Sequence, residues 1–217
     1  MRMRRKKHRE ERLEACSALL FSKGEAPLAS EDLIFCDGAD KLLLEIGCGK
    51  GGFSCQMAAR RSDACYYAME RATDCLILAA ERAMREGLSN IKFINDNADN
   101  LEAIFLPETV DEMFLNFSDP WPKKGYAKRR LTHRRYLEVY LRLLKPGGIL
   151  TFKTDNDGLF DFSLEEVEAL GLDLVAMTRD LHASEYNEGN IMTEYETAFS
   201  EKGKNINMLR IKKPSAF

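Results

Sequence analysis

Residues 41–46 (Lys-Leu-Leu-Leu-Glu-Ile) run without a break into Gly47-Cys-Gly-Lys-Gly-Gly52. That junction restricts the fold more than any other stretch. A short apolar run bounded by glycine reads as a buried strand, and the helical spacing of 53–59 makes the unit strand, glycine loop, helix. The pattern then repeats. Apolar runs at 64–69, 91–94, 110–117 and 149–153 are predicted strands. Helices are predicted at 73–86, 131–144 and 160–170, with a brief one at 101–105. In 73–86, Leu76, Ile77, Ala80 and Met84 are expected to face inward, and Gly87 closes the helix. Lys145-Pro-Gly-Gly148 stops the helix at 131–144. Two last strands are expected at 172–178 and within 195–211, where Gly203 marks a turn. Strands alternating with helices predict an α/β fold with a mainly parallel sheet and helices on both faces. No repeat or linker interrupts it. The chain reads as one globular domain at 41–217, preceded in 1–40 by a basic arm (1–9) and a helix over 11–21.

A formal net charge of −3 excludes a polycation. Binding to nucleic acid would have to use local patches, and basic residues concentrate at 1–12 and 123–135. The six cysteines (16, 36, 48, 55, 65 and 75) form no Cys-x-x-Cys pair. They read as reduced, packed thiols, with no disulfide framework or zinc site. His8, His133 and His182 have no metal-ligand spacing, so no metal is expected. No apolar run is long enough to span a membrane. Glu10, Glu11 and Glu14 interrupt the basic N-terminal run, so no targeting segment is read and the expected location is cytoplasmic.

Ligands of parallel sheets bind beyond the carboxyl ends of the strands. That rule gathers the glycine loop, Glu70, Asn97, Asp119 and Asp155 into one crevice. Glycines 47, 49 and 52 satisfy the dinucleotide pattern, with Glu70 where a ribose-binding acid belongs. Glu45 weighs against a pyrophosphate there, at a Coulomb cost of roughly 4 kcal/mol for an effective dielectric of about 20. S-adenosylmethionine (SAM) carries no phosphate. Its ammonium and sulfonium suit nearby carboxylates, and Glu70 would take its ribose hydroxyls.

Residues 110–117 lead straight into Ser118-Asp-Pro-Trp-Pro122, and a basic run ends in Lys128-Arg-Arg130. The prolines stiffen the backbone after the strand. A carboxylate and an aromatic at a strand end, beside a basic loop, are what base chemistry on a nucleic acid needs. A solvated charged loop is the plain alternative. Trp121 has two readings, a stacking surface for an extruded base or a packed indole bracing the proline turn. Arg134 and Arg135 either extend the patch or decorate a helix.

Leu44-Glu-Ile-Gly-Cys-Gly-Lys-Gly51 resembles motif I of class I SAM-dependent methyltransferases. Asn116-Phe-Ser-Asp-Pro-Trp-Pro-Lys-Lys124, Lys128-Arg-Arg130, Phe152-Lys-Thr-Asp-Asn156 and Gly189-Asn-Ile-Met-Thr-Glu-Tyr-Glu196 together resemble the bacterial tRNA (guanine-N7-)-methyltransferase family, over about 41–208. The resemblance implies a Rossmann-like seven-stranded fold, SAM as donor, S-adenosylhomocysteine as product, no metal, and methylation of N7 of guanine 46 in the tRNA variable loop. It implies cofactor contacts at Glu45, Gly47, Gly49, Glu70, Asn97, Ala98 and Asp119, with Asp119 also catalytic. Substrate contacts are implied at Lys123, Asp155, Thr193, Glu194, Tyr195 and Glu196. RNA contacts are implied at Gly125, Tyr126, Ala127, Lys128, Arg129 and Arg130. Many members are acidic where Asn97 stands. The partner is tRNA, with no membrane, and the molecule is a monomer or a homodimer. Two other functions stay open at this point: a small NAD-dependent oxidoreductase and an RNA-binding protein without catalysis.

Overall fold

All five leading apolar runs are strands in the computed structural model, which describes residues 8–22, 24 and 27–215. β1 (Lys41–Ile46), β2 (Ala64–Met69), β3 (Ile91–Ile94), β4 (Val110–Asn116) and β5 (Leu144–Thr154) pair in parallel in the order β3-β2-β1-β4-β5. β6 (Leu174–Thr178) and β7 (Asn207–Lys212) complete a seven-stranded sheet, with β7 antiparallel between β5 and β6. The chain leaves β1 for β2 and β3 on one side, then crosses back to β4 on the other. The β1/β4 boundary is therefore the reversal point at which open α/β sheets form a ligand crevice.

Seven helices are described: α1 (Arg9–Ala15), α2 (Ser30–Leu33), α3 (Gly52–Arg60), α4 (Thr73–Arg85), α5 (Arg134–Leu143), α6 (Asp157–Ala169) and α7 (Glu194–Ser200). Because strand side chains alternate, the sheet builds two cores. Leu42, Leu44, Ile46, Met113 and Leu115 pack with α5 and α6 residues such as Leu141 and Phe160. Leu43, Tyr66 and Phe114 pack with α3 and α4 residues such as Phe53 and Leu76. Leu42, Leu43 and Leu44 are fully buried, each contributing about 2 kcal/mol. Both faces being covered, β1 reads as a continuous apolar run. A one-residue slip would exchange its faces, so this burial also fixes which face Glu45 occupies.

Four expectations need correction. Met84 is 48% exposed, because it lies at the margin of the buried stripe of Leu76, Ile77, Ala79, Ala80 and Ala83. The stretch 145–148 does more than stop a helix: α5 ends at Leu143 and β5 starts at once, with a register shift opposite Val110 and Glu112. Within 195–211 only Asn207–Lys212 is strand, and the stretch before it is α7. Its cause is a capping box: Thr193 Oγ1 accepts from Glu196 N at 2.9 Å while the Glu196 carboxylate accepts from Thr193 N at 3.4 Å. The Thr-x-x-Glu signature was in the sequence. Finally, Cys36 and Cys65 form a disulfide where free thiols were expected. They are 29 residues apart in sequence, and only folding brings their Cα atoms to 6.5 Å.

Of the predicted basic arm, residues 1–7 lie outside the described residues. α1 docks on α4 through a bidentate Arg12–Glu81 pair at 2.6 and 2.7 Å. Among the described residues no helix is long and apolar enough to cross a membrane.

Candidate active site

The loop after β1 turns through three glycines with positive φ, Gly47, Gly49 and Gly51. Gly47 N and Cys48 N both donate to the Met69 carbonyl, at 2.8 and 3.0 Å. A Cβ at Gly51 would lie 2.7 Å from Ala79 Cβ, so that glycine lets the loop touch α4. A Cβ at Gly47 or Gly49 would meet nothing within 4 Å. Those two positions need glycine for backbone conformation and border open space. Glu70, just past β2, braces the loop: its carboxylate accepts from Gly49 N at 3.0 Å and from Ala72 N at 2.8 Å.

Glu45 is only 2% exposed. Its carboxylate accepts from Ser54 Oγ at the start of α3 and from Asn116 Nδ2 at 2.9 Å, with the Tyr66 hydroxyl at 3.4 Å. Burial pushes its pKa above the usual carboxylate range, and the hydrogen bonds from Ser54 and Asn116 only partly oppose this. Asn116 Oδ1 and Ser118 Oγ, at and just past the end of β4, are buried without a hydrogen-bond partner among the described residues. Buried orphans are uncommon, and these two stand at the reversal point of the sheet.

Beyond β4 the backbone is strained. Phe117 and Trp121 take φ of 53° and 41°, a conformation that costs a bulky residue of order 1 kcal/mol or more. Phe117 N donates to the Lys153 carbonyl at 2.9 Å. Arg130 holds the other end: its guanidinium donates to the carbonyls of Pro120 and Trp121, both at 3.0 Å, and stacks 4.3 Å from the centre of the Phe162 ring. Between these anchors Asp119 is exposed and meets Arg71 at 3.2 Å. Arg71 follows Glu70, so contacts run unbroken from Asp119 through Arg71 and Glu70 to Gly49.

The basic loop divides by partner. Lys123, Lys124, Lys128 and Arg129 are exposed. Arg129 also lies over the rings of Trp121 and Tyr126, at 5.0 and 4.7 Å. Trp121 is half-buried and edge-on to Tyr126, which favours the bracing reading. Arg134 and Arg135 are neutralised by Glu166 and Asp99, each at 2.9 and 2.8 Å respectively, and do not extend the patch. Gly125 and Ala127 belong to a short 3-10 turn, Lys124–Arg129.

Asp155 follows β5 and lies 3.6 Å from Lys204. The segment 189–196 closes the other side. Tyr195 is 59% exposed, with its ring 6.0 Å from Phe117 and 5.0 Å from Phe199. Glu194 pairs with Arg82 of α4, and a Cβ on Gly52 would come within 3.2 Å of Glu194 Cγ. The segment thus abuts both the glycine loop and the end of β4. Glu196 is fully buried and pairs with Lys153 at 2.6 Å. Asn97 is exposed and bonds within its own turn, accepting from Asp99 N at 2.8 Å, while Ala98 beside it is buried. Two residues carried no expectation. Arg71 looked like any surface arginine, whereas Lys153, a cation within an apolar strand, carried a usable signal because a buried lysine needs a partner. Arg130, expected to contact RNA, instead holds the Pro120 and Trp121 carbonyls.

A family model described as "Putative methyltransferase" matches residues 39–209. A tRNA (guanine-N(7)-)-methyltransferase from Mesoplasma florum is 42% identical over 221 aligned positions, covering 98% of this chain and 99% of that protein. The fold is similar to that of the 16S rRNA methyltransferase KamB, with a TM-score of 0.64 at 12% identity, covering 85% of this chain and 92% of that one. It is also similar to TrmN from Thermus thermophilus, with a TM-score of 0.58 at 19% identity over 94% of this chain and 48% of that one.

Proposed function

The chain belongs to the tRNA (guanine-N7-)-methyltransferase family, and from that premise we propose that it transfers a methyl group from SAM to N7 of guanine 46 in the tRNA variable loop. The products are 7-methylguanosine and S-adenosylhomocysteine. One observation supports this reading: contacts link the glycine loop through Glu70 and Arg71 to the Asp119 carboxylate, and the exposed Tyr195 packs on Phe117 at the start of the same Pro-Trp loop. Membership of the family removes the oxidoreductase and the non-catalytic alternatives.

The residues present fit SAM. Open space faces Gly47 and Gly49, and Asn116 Oδ1 and Ser118 Oγ are acceptors lacking a donor, which an ammonium can supply. Glu70, Asn97, Ala98 and Asp119 would complete the hold. Glu45 would act through Asn116 and through its buried charge. When bound, SAM supplies a methyl group on a sulfonium centre.

Guanine N7 has an in-plane lone pair and no proton, so no general base is needed before transfer. The base gains positive charge as the new bond forms. A carboxylate at Asp119 stabilises that charge more in the transition state than in the ground state. Its pairing with Arg71 is exposed and is worth at most about 1 kcal/mol, so Asp119 can turn to the base while Arg71 takes a phosphate. Asp155 would accept from guanine N1 and N2, distinguishing guanine from adenine. Tyr195 offers the stacking face for the extruded base, and Thr193 and Glu194 flank it. Lys123, Lys128 and Arg129 bind the phosphate backbone, with affinity that falls with salt. Alignment of acceptor and donor supplies most of the acceleration. The setting for this reaction is the cytoplasm, with the enzyme acting as a monomer or homodimer.

The test is transfer of radiolabel from SAM to unmodified tRNA, followed by nucleoside analysis. Label in 7-methylguanosine that vanishes when guanine 46 is replaced is expected. Label in another nucleoside would discard the guanine assignment, and no label would discard the reading altogether.

A further inference from the structure

Lys153 sits on β5, on the same sheet face as Glu45 and Asn116. Its side chain is 4% exposed. Nζ donates to three acceptors: Glu196 Oε2 at 2.6 Å, the Ile191 carbonyl at 2.9 Å and Asn190 Oδ1 at 3.1 Å. An ammonium has three hydrogens. All three are used, and all three acceptors lie in 190–196. Burial pulls Lys153 below its ordinary pKa, opposed by the Glu196 carboxylate; the three acceptors call for the ammonium form.

Glu196 gathers the rest of the segment. Burial works against its ionisation, but Lys153 and hydrogen bonds from His182 and Asn190 hold its carboxyl below the usual range. Asn190 Nδ2 donates at 2.7 Å and His182 Nε2 lies at 2.9 Å. His182 Nδ1 in turn meets Ser200 Oγ at 3.1 Å. A single buried pair therefore ties both ends of α7 and the stretch before it to β5. Toward the other side, Lys153 feels the Glu45 carboxylate, which lies beneath the glycine loop.

Buried ion pairs are often no more stabilising than apolar residues of the same volume, so stability alone does not account for this one. Its geometric consequence is definite. It sets the position of α7 and hence of Thr193 and Tyr195, and it does so from the strand that flanks the cofactor crevice. We propose that Lys153 and Glu196 are positioning residues for the methyl acceptor: they fix the segment that presents Tyr195 and touch neither base nor donor. This inference rests on the reading of Thr193, Glu194 and Tyr195 as part of the acceptor site; Glu196, expected from the resemblance to touch substrate, is buried against Lys153 instead.

The test compares the full chain with the Lys153→Met/Glu196→Gln double variant, which leaves no lone buried charge, and with Glu196→Gln alone, which keeps the shape but only one of the two acceptor oxygens and removes the countercharge of Lys153. SAM affinity is measured by calorimetry, and kcat and KM for tRNA are measured separately. The double variant is expected to bind SAM as the wild type does while kcat/KM for tRNA falls about 100-fold, the scale of an ångström-sized misplacement. Glu196→Gln should show the same split to a smaller extent. Unchanged tRNA kinetics in a folded variant would overturn the proposal, as would equal losses in SAM and tRNA binding. Should the double variant not fold, Glu196→Gln decides by the same two outcomes. If the wild type itself transfers nothing to tRNA, the proposed function fails first, and the positioning proposal falls with it.

Discussion

Arg71, one residue past Glu70, and Asp119, three residues past β4, meet at 3.2 Å with both side chains about two-thirds exposed. The pair closes a chain of contacts from the glycine loop to the Pro-Trp turn without burying either charge. Asp119→Ala should lower kcat by about 100-fold or more, the scale of losing one oriented electrostatic group. Thermal stability should hold, since the lost ion pair is exposed. Arg71→Ala should instead raise KM for tRNA with a smaller effect on kcat. Steady-state kinetics beside a melting curve separate the two, and an active Asp119→Ala enzyme would remove that carboxylate from the mechanism.

Arg130 is spent on the backbone of the turn that aims Asp119. Arg130→Ala removes hydrogen bonds to the Pro120 and Trp121 carbonyls and should cost about 2 kcal/mol of stability. The released turn should also lower kcat. Trp121 is the only tryptophan in the chain, so its fluorescence reports on the turn directly. A shifted emission spectrum is expected in Arg130→Ala, and an unshifted one would show that the turn holds its shape without the clamp.

Glu45→Gln should stabilise the protein while weakening SAM binding. The folded pKa of Glu45 is raised by burial. Its contribution to stability is therefore fully present below the unfolded carboxylate value, about 4.3, and is lost as pH rises through the folded value. A glutamine keeps acceptance from Ser54, and its amide can donate to Asn116 Oδ1, which now lacks a partner, once Asn116 reorients. The melting-temperature advantage of Glu45→Gln should grow on going from acid to neutral pH. An advantage independent of pH would mean the carboxylate charge is not its source.

Lys123, Lys128 and Arg129 changed together to alanine should weaken tRNA binding and flatten its salt dependence. Each lost phosphate contact removes roughly 0.7–0.9 from the slope of log affinity against log salt. Changing Arg134 and Arg135 should leave that slope alone, because Glu166 and Asp99 already hold them. Filter binding over a salt series distinguishes the two sets, and equal slopes for both would refute the division.

The five parallel strands were legible because the buried runs are continuous and glycine punctuates them: β1, β2 and β3 begin and end where the apolar runs do. The helix at Glu194–Ser200 was missed although its Thr-x-x-Glu box was in plain view. Sequence also located the residues at each strand end, since period two and a parallel sheet leave the carboxyl ends one common edge.

Partnership is what a linear chain does not encode. Nothing local distinguishes Arg130, clamped to a strained turn, from Arg129 beside it, which lies exposed over the Trp121 and Tyr126 rings, and nothing local pairs Cys36 with Cys65 or Lys153 with Glu196. By itself the sequence determined the alternation of strands and helices from β1 to β6 and the glycine loop, because these depend on short-range periodicity and backbone preference, while its motifs carried the family resemblance. Only the tertiary structure decided which charges are spent and which remain available, because that depends on which side chains from distant segments meet and which are left in water.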